Sequence, residues 1–83
     1  MADLRATRII TTVSKPSGRE VYIVALVHNE FGWLPELQTA SINPDGTLAA
    51  PKARQGIRTD CLDAVIRGFI EARTALHSDG GDT

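Results

Sequence analysis

The chain has 83 residues, a net charge of −1 and a single cysteine. Its length allows one domain at most, and its near-neutral charge does not by itself indicate a nucleic-acid binder. One cysteine excludes an internal disulfide and a cysteine-based zinc site. No apolar run reaches the roughly 18 residues of a membrane span, and the N-terminus MADLRATR lacks the apolar core of a signal peptide. We therefore predict one cytoplasmic domain over residues 1–83.

Three strands are predicted in the first half of the chain. Segment 6–14, ATRIITTVS, is rich in β-branched residues, and simple alternation places Ile9, Thr11 and Val13 on one face. Segment 19–28, REVYIVALVH, is apolar on both faces. This predicts a central strand whose second face is covered by another element or another subunit. Segment 36–42 predicts a weaker strand, with Pro35 marking its start.

A turn and a basic segment lead into a helix. NPDG at 43–46 is a strong turn signal, and a short fourth strand is predicted over 52–58. From residue 60 the apolar residues recur at three- and four-residue spacings, which predicts a helix over about 60–77 capped by Thr59 or Asp60. Two glycines then end the helix, and we expect the tail 78–83 to be flexible.

The order of elements predicts an α+β fold, in which a four-stranded antiparallel β-meander is followed by one C-terminal α-helix (ββββα). A single helix covers only one face of such a sheet. The other face must be exposed for use or buried against a partner. A domain this small has a thin core and often gains stability by dimerising.

These signals together resemble a known family. The matching pieces are REVYIVALVHNEFGWLPELQTASI as two paired strands, NPDGT as the turn, PKARQGI as a short basic strand and RTDCLDAVIRGFIEA as the closing helix. Over residues 18–72 the chain resembles the single-stranded-DNA-binding transcriptional coactivators called positive cofactor four, in their short bacterial form. The sharpest element is ARQGI leading into a helix with an early acid.

The resemblance implies a homodimer and a single-stranded nucleic acid as ligand. In that family, helices and sheets pack across a two-fold axis, and single strands are gripped by basic and aromatic side chains. Carried onto this sequence, the binding candidates are Arg19, Tyr22, Trp33, Lys52, Arg54 and Arg58. The helix residues expected at the dimer interface are Leu62, Val65, Ile66 and Phe69.

The candidate residues also have simpler interpretations. Lys52, Arg54 and Arg58 share parity on an extended strand, so they would form one basic row unless Gly56 introduces a bulge. Such a row suits phosphates or the acids of another protein, but it also serves as a charged edge that prevents aggregation. Trp33 is either a stacking platform or a lid on the small core.

We identify no catalytic constellation, no metal set and no cofactor motif, and we predict that the protein is not an enzyme. His28 and His77 lie far apart in sequence without a matching carboxylate spacing. Cys61 has no identifiable partner base and is expected to be a packed small residue.

The sequence leaves two binding hypotheses, beside that of a purely structural dimer module. The first is a small single-stranded DNA- or RNA-binding protein that acts in transcription or replication. The alternative is a small phage- or mobile-element-type inhibitor or adaptor, for example an anti-CRISPR-like protein, that acts by binding a protein partner. Reversing the charges of Lys52, Arg54 and Arg58 separates the two hypotheses, because it removes DNA binding under the first.

Overall fold

The computed structural model describes residues 6–54 and 56–78 and confirms the predicted α+β class. Four strands form one antiparallel sheet in the order β1-β2-β3-β4. They are β1 (Thr7–Ser14), β2 (Glu20–Asn29), β3 (Gly32–Ser41) and β4 (Lys52–Ala53). A 3-10 turn over Thr59–Cys61 leads into the helix α1 (Leu62–Ser78). The predicted flexible tail lies outside the described residues beyond Ser78.

The central strand β2 is buried on both faces, as its apolar pattern predicts. Tyr22, Val24 and Leu26 form a cluster with Cys61, Val65 and Ala72 of the helical segment. On the opposite face Val21, Ile23 and Ala25 form a second cluster with Ala40 of β3. Every residue from Val21 to Val27 is at most 6% exposed. The strand is therefore the centre of the fold.

A bulge in β1 changes the face that several of its side chains occupy. Ile9 pairs with Ala25, but the next pair joins Thr11 to Val24, so the register shifts between them. The prediction that Ile9, Thr11 and Val13 share a face is therefore wrong for Ile9, since the extra residue inverts the alternation. Ile10 and Val13 instead pack against the helix-side cluster.

Strand β3 begins earlier than predicted and includes Pro35, which pairs with Leu26. The carbonyl of Leu37 accepts a hydrogen bond from Arg54 on the β4 side. Because backbone polarity alternates along a strand, the backbone of Pro35 faces that same outer side. Its missing N–H group therefore costs the β2–β3 ladder nothing, and it protects the part of this edge that β4 does not reach.

The basic segment forms much less strand than the predicted 52–58. Among residues 52–54 and 56–58, Lys52 and Ala53 alone pair with β3, opposite Thr39 and Gln38. The chain then leaves the sheet. Thr59 and Asp60 lie inside the 3-10 turn that precedes α1 instead of capping the helix, and the N-cap of that turn is Arg58, without a side-chain hydrogen bond. The carboxylate of Asp60 binds the Arg58 guanidinium instead.

Helix α1 lies very close to the sheet at Gly68. A Cβ atom at this position would come within 2.7 Å of Thr11 Cγ2 and 2.9 Å of Val24 Cγ2. Both contacts are shorter than side-chain carbons tolerate, so the absence of a side chain sets the distance between helix and sheet.

Candidate nucleic-acid interface

Three basic side chains meet in a cleft at the end of the sheet where the helix begins. Lys15, Arg54 and Arg58 line this cationic cleft, which has a volume of about 370 Å³. Pro16, Ser17, Glu20 and Tyr22 complete its walls. The three basic residues come from separate parts of the chain, so only the fold brings them together.

The β1–β2 hairpin holds Lys15 in the wall of the cationic cleft. Its backbone N–H donates to Glu20, and Gly18 closes the turn with a φ of +72°. The Lys15 ammonium lies 3.0 Å from the Glu20 carboxylate and 4.7 Å from the Tyr22 ring centroid. Only 11% of the Lys15 side chain is exposed, so its charge is fixed in position and partly neutralised.

Arg58 forms a bidentate ion pair with Asp60. The Nε and Nη2 atoms of Arg58 donate to the two carboxylate oxygens over 3.1 and 3.0 Å. These bonds lower the pKa of Asp60 and raise the pKa of Arg58. Both side chains are about half exposed, and exposed pairs contribute little stability. The guanidinium can therefore exchange Asp60 for an incoming phosphate at low cost.

Arg54 is the most available cation of the cleft. Its backbone N–H donates to Leu37 at the end of β4, and its Nε donates to the Gly56 carbonyl over 3.1 Å. Within residues 6–54 and 56–78 its two terminal nitrogens have no hydrogen bond. These two nitrogens form a fork of N–H donors that suits phosphate oxygens.

Lys52 extends the basic surface beyond the cationic cleft. It lines a neighbouring cleft of about 240 Å³ together with Thr39, Ser41 and Glu20. Glu20 borders both clefts, so the cleft lined by Lys52 meets the cationic cleft at this residue. Lys52, Arg54 and Arg58 therefore line two clefts that meet. They do not form the one continuous basic strand that the sequence predicts.

Arg19 does not join this surface, and Tyr22 joins it as a wall of the cationic cleft but not as a stacking residue. Arg19 is exposed and lines neither cleft, and its carbonyl accepts a hydrogen bond from Ile42, whose side chain packs on the opposite face of the sheet. Tyr22 is completely buried. The prediction that Tyr22 stacks on a base is therefore wrong, because its ring has no free face and its hydroxyl accepts the N–H of Arg58.

Trp33 lies at the opposite end of the sheet. It pairs with His28, six residues along β2 from Tyr22, which corresponds to roughly 20 Å. The rings of His28 and Trp33 meet edge to face at a centroid distance of 5.1 Å. Trp33 is 38% exposed, and the adjacent Phe31 and Leu34 are 78% and 40% exposed. These three exposed apolar residues lie at the β2–β3 hairpin, with Trp33 and Leu34 on opposite faces of the sheet, and we call them the hairpin tip.

Sequence reasoning missed Lys15 as well as the exposed neighbours of Trp33. The turn KPSG with Glu20 five residues after Lys15 could have indicated a lysine fixed at the hairpin base. No pattern in the strands indicated that this turn would meet the segment before the helix. The KPSG turn and the segment before the helix come together because β4 pairs antiparallel with β3.

The four helix residues predicted at a dimer interface fall into two groups. Val65 is completely buried against the sheet, and Phe69 packs against the same cluster. Val65 therefore has no surface to offer a partner, because the core of its own chain uses it. Leu62 and Ile66 are 38% and 48% exposed and are free to contact another molecule.

Comparisons with known proteins identify no relative of this chain. No family model, no curated protein sequence and no solved structure matches the chain. No helix in the described part of the chain is long and apolar enough to cross a membrane. Across residues 6–54 and 56–78, no three His, Cys, Asp or Glu side chains gather in a way that could hold a metal ion.

Proposed function

We propose that this protein is a small, non-catalytic, cytoplasmic binder of single-stranded nucleic acid that acts in transcription or replication. One observation carries the proposal: Lys15, Lys52, Arg54 and Arg58 gather on one end of the sheet around two adjacent clefts. Such a surface can replace the counterions of several phosphates.

The proposed mechanism depends on phosphates rather than on bases. Tyr22 is buried and Trp33 lies at the far end of β2, so neither aromatic ring stacks on bases held at the clefts. The contacts then come from Arg54, Arg58 and the two lysines. Contacts of this kind position a strand without reading its sequence, and we expect little base preference.

A single strand suits this surface better than a duplex. The two clefts are small concavities that meet at Glu20. A flexible strand can bend successive phosphates into both, whereas the phosphates of a rigid duplex lie on a convex cylinder. We therefore expect tighter binding of a single-stranded oligonucleotide than of the same sequence as a duplex.

The test is a titration of an end-labelled oligothymidylate, followed by fluorescence anisotropy at about 50 and 200 mM salt. A label is needed because Trp33 lies too far from the clefts to report binding. Four phosphate contacts predict a slope of log affinity against log salt of roughly −3, at about −0.7 per contact for single strands. Absence of binding at the lower salt concentration would contradict the proposal.

A matched pair of charge reversals locates the site. Arg54→Glu changes a cleft residue, and Arg67→Glu makes the same charge change on an exposed position of α1. We expect Arg54→Glu to lower affinity about tenfold and Arg67→Glu to lower it less than twofold, since a distant charge is screened at these salt concentrations. Equal losses would show that binding does not use the clefts.

A protein partner is the second candidate, and the hairpin tip favours it. Phe31, Trp33 and Leu34 expose apolar and aromatic surface at one end of the sheet, and aromatic side chains often anchor protein interfaces. Under this function, a specific protein captured from nuclease-treated lysate would be lost with Phe31→Ser. The same variant would leave oligonucleotide binding unchanged.

A further inference from the structure

The cationic cleft collects its three positive charges from three separate segments of the chain. Lys15 comes from the β1–β2 hairpin, Arg54 follows β4, and Arg58 is the N-cap of the turn that leads into α1. Because all three line one concavity, a group that enters it meets three cations at once.

Ser17 adds a hydroxyl group to the same cleft. Its Oγ accepts the backbone N–H of Arg19 over 3.2 Å, so its own proton can be donated to a ligand. The other donors are the ammonium of Lys15 and the guanidinium groups of Arg54 and Arg58. A phosphate at the end of a strand offers three unesterified oxygens to such donors. A phosphate inside a strand offers two, because its other two oxygens are esterified.

Two carboxylates already hold two of the three cations. Glu20 pairs with Lys15 over 3.0 Å, and Asp60 pairs with Arg58 over 3.0 Å. A phosphodiester carries one negative charge, as each carboxylate does, so it gains little by replacing one. A phosphomonoester carries nearly two at neutral pH. Three positive and two negative charges leave a net charge of +1, which attracts a dianion about twice as strongly as a monoanion.

We propose that the cationic cleft binds a phosphomonoester, and that this ligand is the phosphorylated end of a single strand. The proposal rests on the proposed function and narrows it. The end of the strand enters the cationic cleft, and the phosphates that follow lie in the neighbouring cleft, which Lys52 lines and which meets the first at Glu20. A free nucleoside monophosphate presents the same dianion and is the alternative source of this chemistry.

Arg54 is the cation on which this preference depends most. Within residues 6–54 and 56–78, its side chain donates through Nε to the Gly56 carbonyl and pairs with no carboxylate. It therefore binds a phosphate without first releasing an acid. Among the described residues, Lys52 lines the neighbouring cleft but not the cationic cleft. Both side chains are exposed, so Arg54 and Lys52 form a matched pair for substitution.

Fluorescence anisotropy of two end-labelled oligothymidylates tests the proposal, at about 50 mM salt and about pH 7.5, where a phosphomonoester is a dianion. The strands differ only in whether the unlabelled end carries a phosphate or a hydroxyl group. One series places the phosphate at the 5′ end and another at the 3′ end. In at least one series we expect the phosphorylated strand to bind about fivefold more tightly, the effect of roughly one added charge near contact distance.

The outcomes separate this proposal from the proposed function. Equal affinities of phosphorylated and hydroxyl-ended strands in both series would overturn the terminal-phosphate site and leave the proposed function intact. Absence of binding by every strand would overturn both.

Acidification measures whether the second charge of the phosphate is recognised. The second pKa of a phosphomonoester is about 6, so the ratio of the two affinities should fall below about twofold at about pH 5. Both strands meet the same protein at each pH. Any titration of Lys15, Glu20 or Asp60, which face the ligand, therefore cancels in this ratio. A preference that persists unchanged in acid would overturn recognition of the dianion.

Two substitutions locate the preference. Arg54→Ala should lower the affinity ratio below about twofold, because it removes the cation that needs no exchange of partner. Lys52→Ala should weaken both strands alike and leave the ratio unchanged. The reverse pattern would overturn the assignment to the cationic cleft.

Competition with thymidine monophosphate separates the two sources of the dianion. If the strand end is the ligand, displacing the phosphorylated strand requires at least about tenfold more mononucleotide than unlabelled strand, because the mononucleotide lacks the contacts of further phosphates. Displacement at equal concentrations would overturn the strand end as the ligand and assign the cleft to a mononucleotide.

Discussion

The Tyr22 hydroxyl accepts a hydrogen bond from the backbone N–H of Arg58 over 2.8 Å. This bond joins the most buried strand to the segment that enters the helix, across 36 residues of sequence. It also holds Arg58 at the edge of the cationic cleft, whose wall includes Tyr22 itself. Tyr22, which the sequence predicts as a base-stacking residue, therefore positions the backbone of Arg58 instead.

Tyr22→Phe should lower the free energy of unfolding by about 1 kcal/mol. The substitution keeps the ring in the core and removes only the hydroxyl that accepts the Arg58 N–H. Urea unfolding followed by circular dichroism measures the change. Arg58→Ala is the control, because it retains the backbone donor and removes only an exposed side chain. A loss with Arg58→Ala as large as that with Tyr22→Phe would show that the hydroxyl bond is not the cause.

Gly68→Ala should destabilise the protein although alanine is the better helix former. Alanine gains about 1 kcal/mol over glycine in a helix. Its Cβ, however, would meet Thr11 and Val24 at less than 3 Å, and such overpacking costs about 1–3 kcal/mol. Both neighbours are β-branched and have little freedom to move aside. We expect a net loss of about 1 kcal/mol in thermal or urea unfolding.

The effect of Gly68→Ala on stability must be compared with that of a substitution in α1 that does not touch the sheet. Glu71→Ala lies on the exposed side of the same helix and should be neutral or slightly stabilising. If Gly68→Ala is also stabilising, α1 lies farther from the sheet than the structure shows.

Cys61 should react slowly with thiol reagents while the protein is folded. Its side chain is 4% exposed, and burial raises the pKa of the thiol. The folded state therefore keeps its proton at a pH where the unfolded state loses it. This contribution to stability is present below the ordinary thiol pKa and is lost as pH rises above it.

Alkylation by iodoacetamide at pH 8 and at pH 9 checks this prediction, with the rate in urea as the reference. We expect the folded protein to react at least tenfold more slowly than the unfolded chain. A folded rate close to the unfolded rate would contradict the burial of Cys61.

Asp60→Asn should strengthen oligonucleotide binding under the proposed function. The substitution removes the carboxylate that competes with phosphate for the Arg58 guanidinium. We expect affinity to rise about twofold to fivefold at low salt, since an exposed ion pair is weak and competes only modestly with an incoming phosphate. Asp63→Asn removes the same charge from the next helical turn without this ion pair and should have a smaller effect.

The pH dependence of binding follows from the same ion pair. The pKa of Asp60 is lowered by Arg58, so the competing carboxylate stays charged until the pH falls below the ordinary aspartate range. Binding by wild type should therefore approach that of Asp60→Asn only under strongly acidic conditions. A convergence of the two affinities near neutral pH would contradict the assigned pairing.

The strands and the helix could be predicted from local sequence patterns, but the residues at which they begin and end could not. The alternation and the apolar content of 19–28 predicted β2 and its burial on both faces, because both depend on the side chains of that segment alone. The start of β3 was placed too late because Pro35 reads as a strand breaker. Only its position on the outer side of the sheet makes it harmless.

The candidate site, too, could be predicted from the sequence only in part. The sequence by itself determined the ββββα order, the doubly buried central strand, and a basic segment directly before the helix. These are properties of neighbouring residues and of hydrophobic periodicity. Tertiary structure alone decided that Lys15 joins Arg54 and Arg58, that Tyr22 is buried and that Trp33 lies far from them. Each of these outcomes depends on which strands become neighbours and on which side of the sheet the helix packs, and no local pattern encodes a distance between residues far apart in sequence.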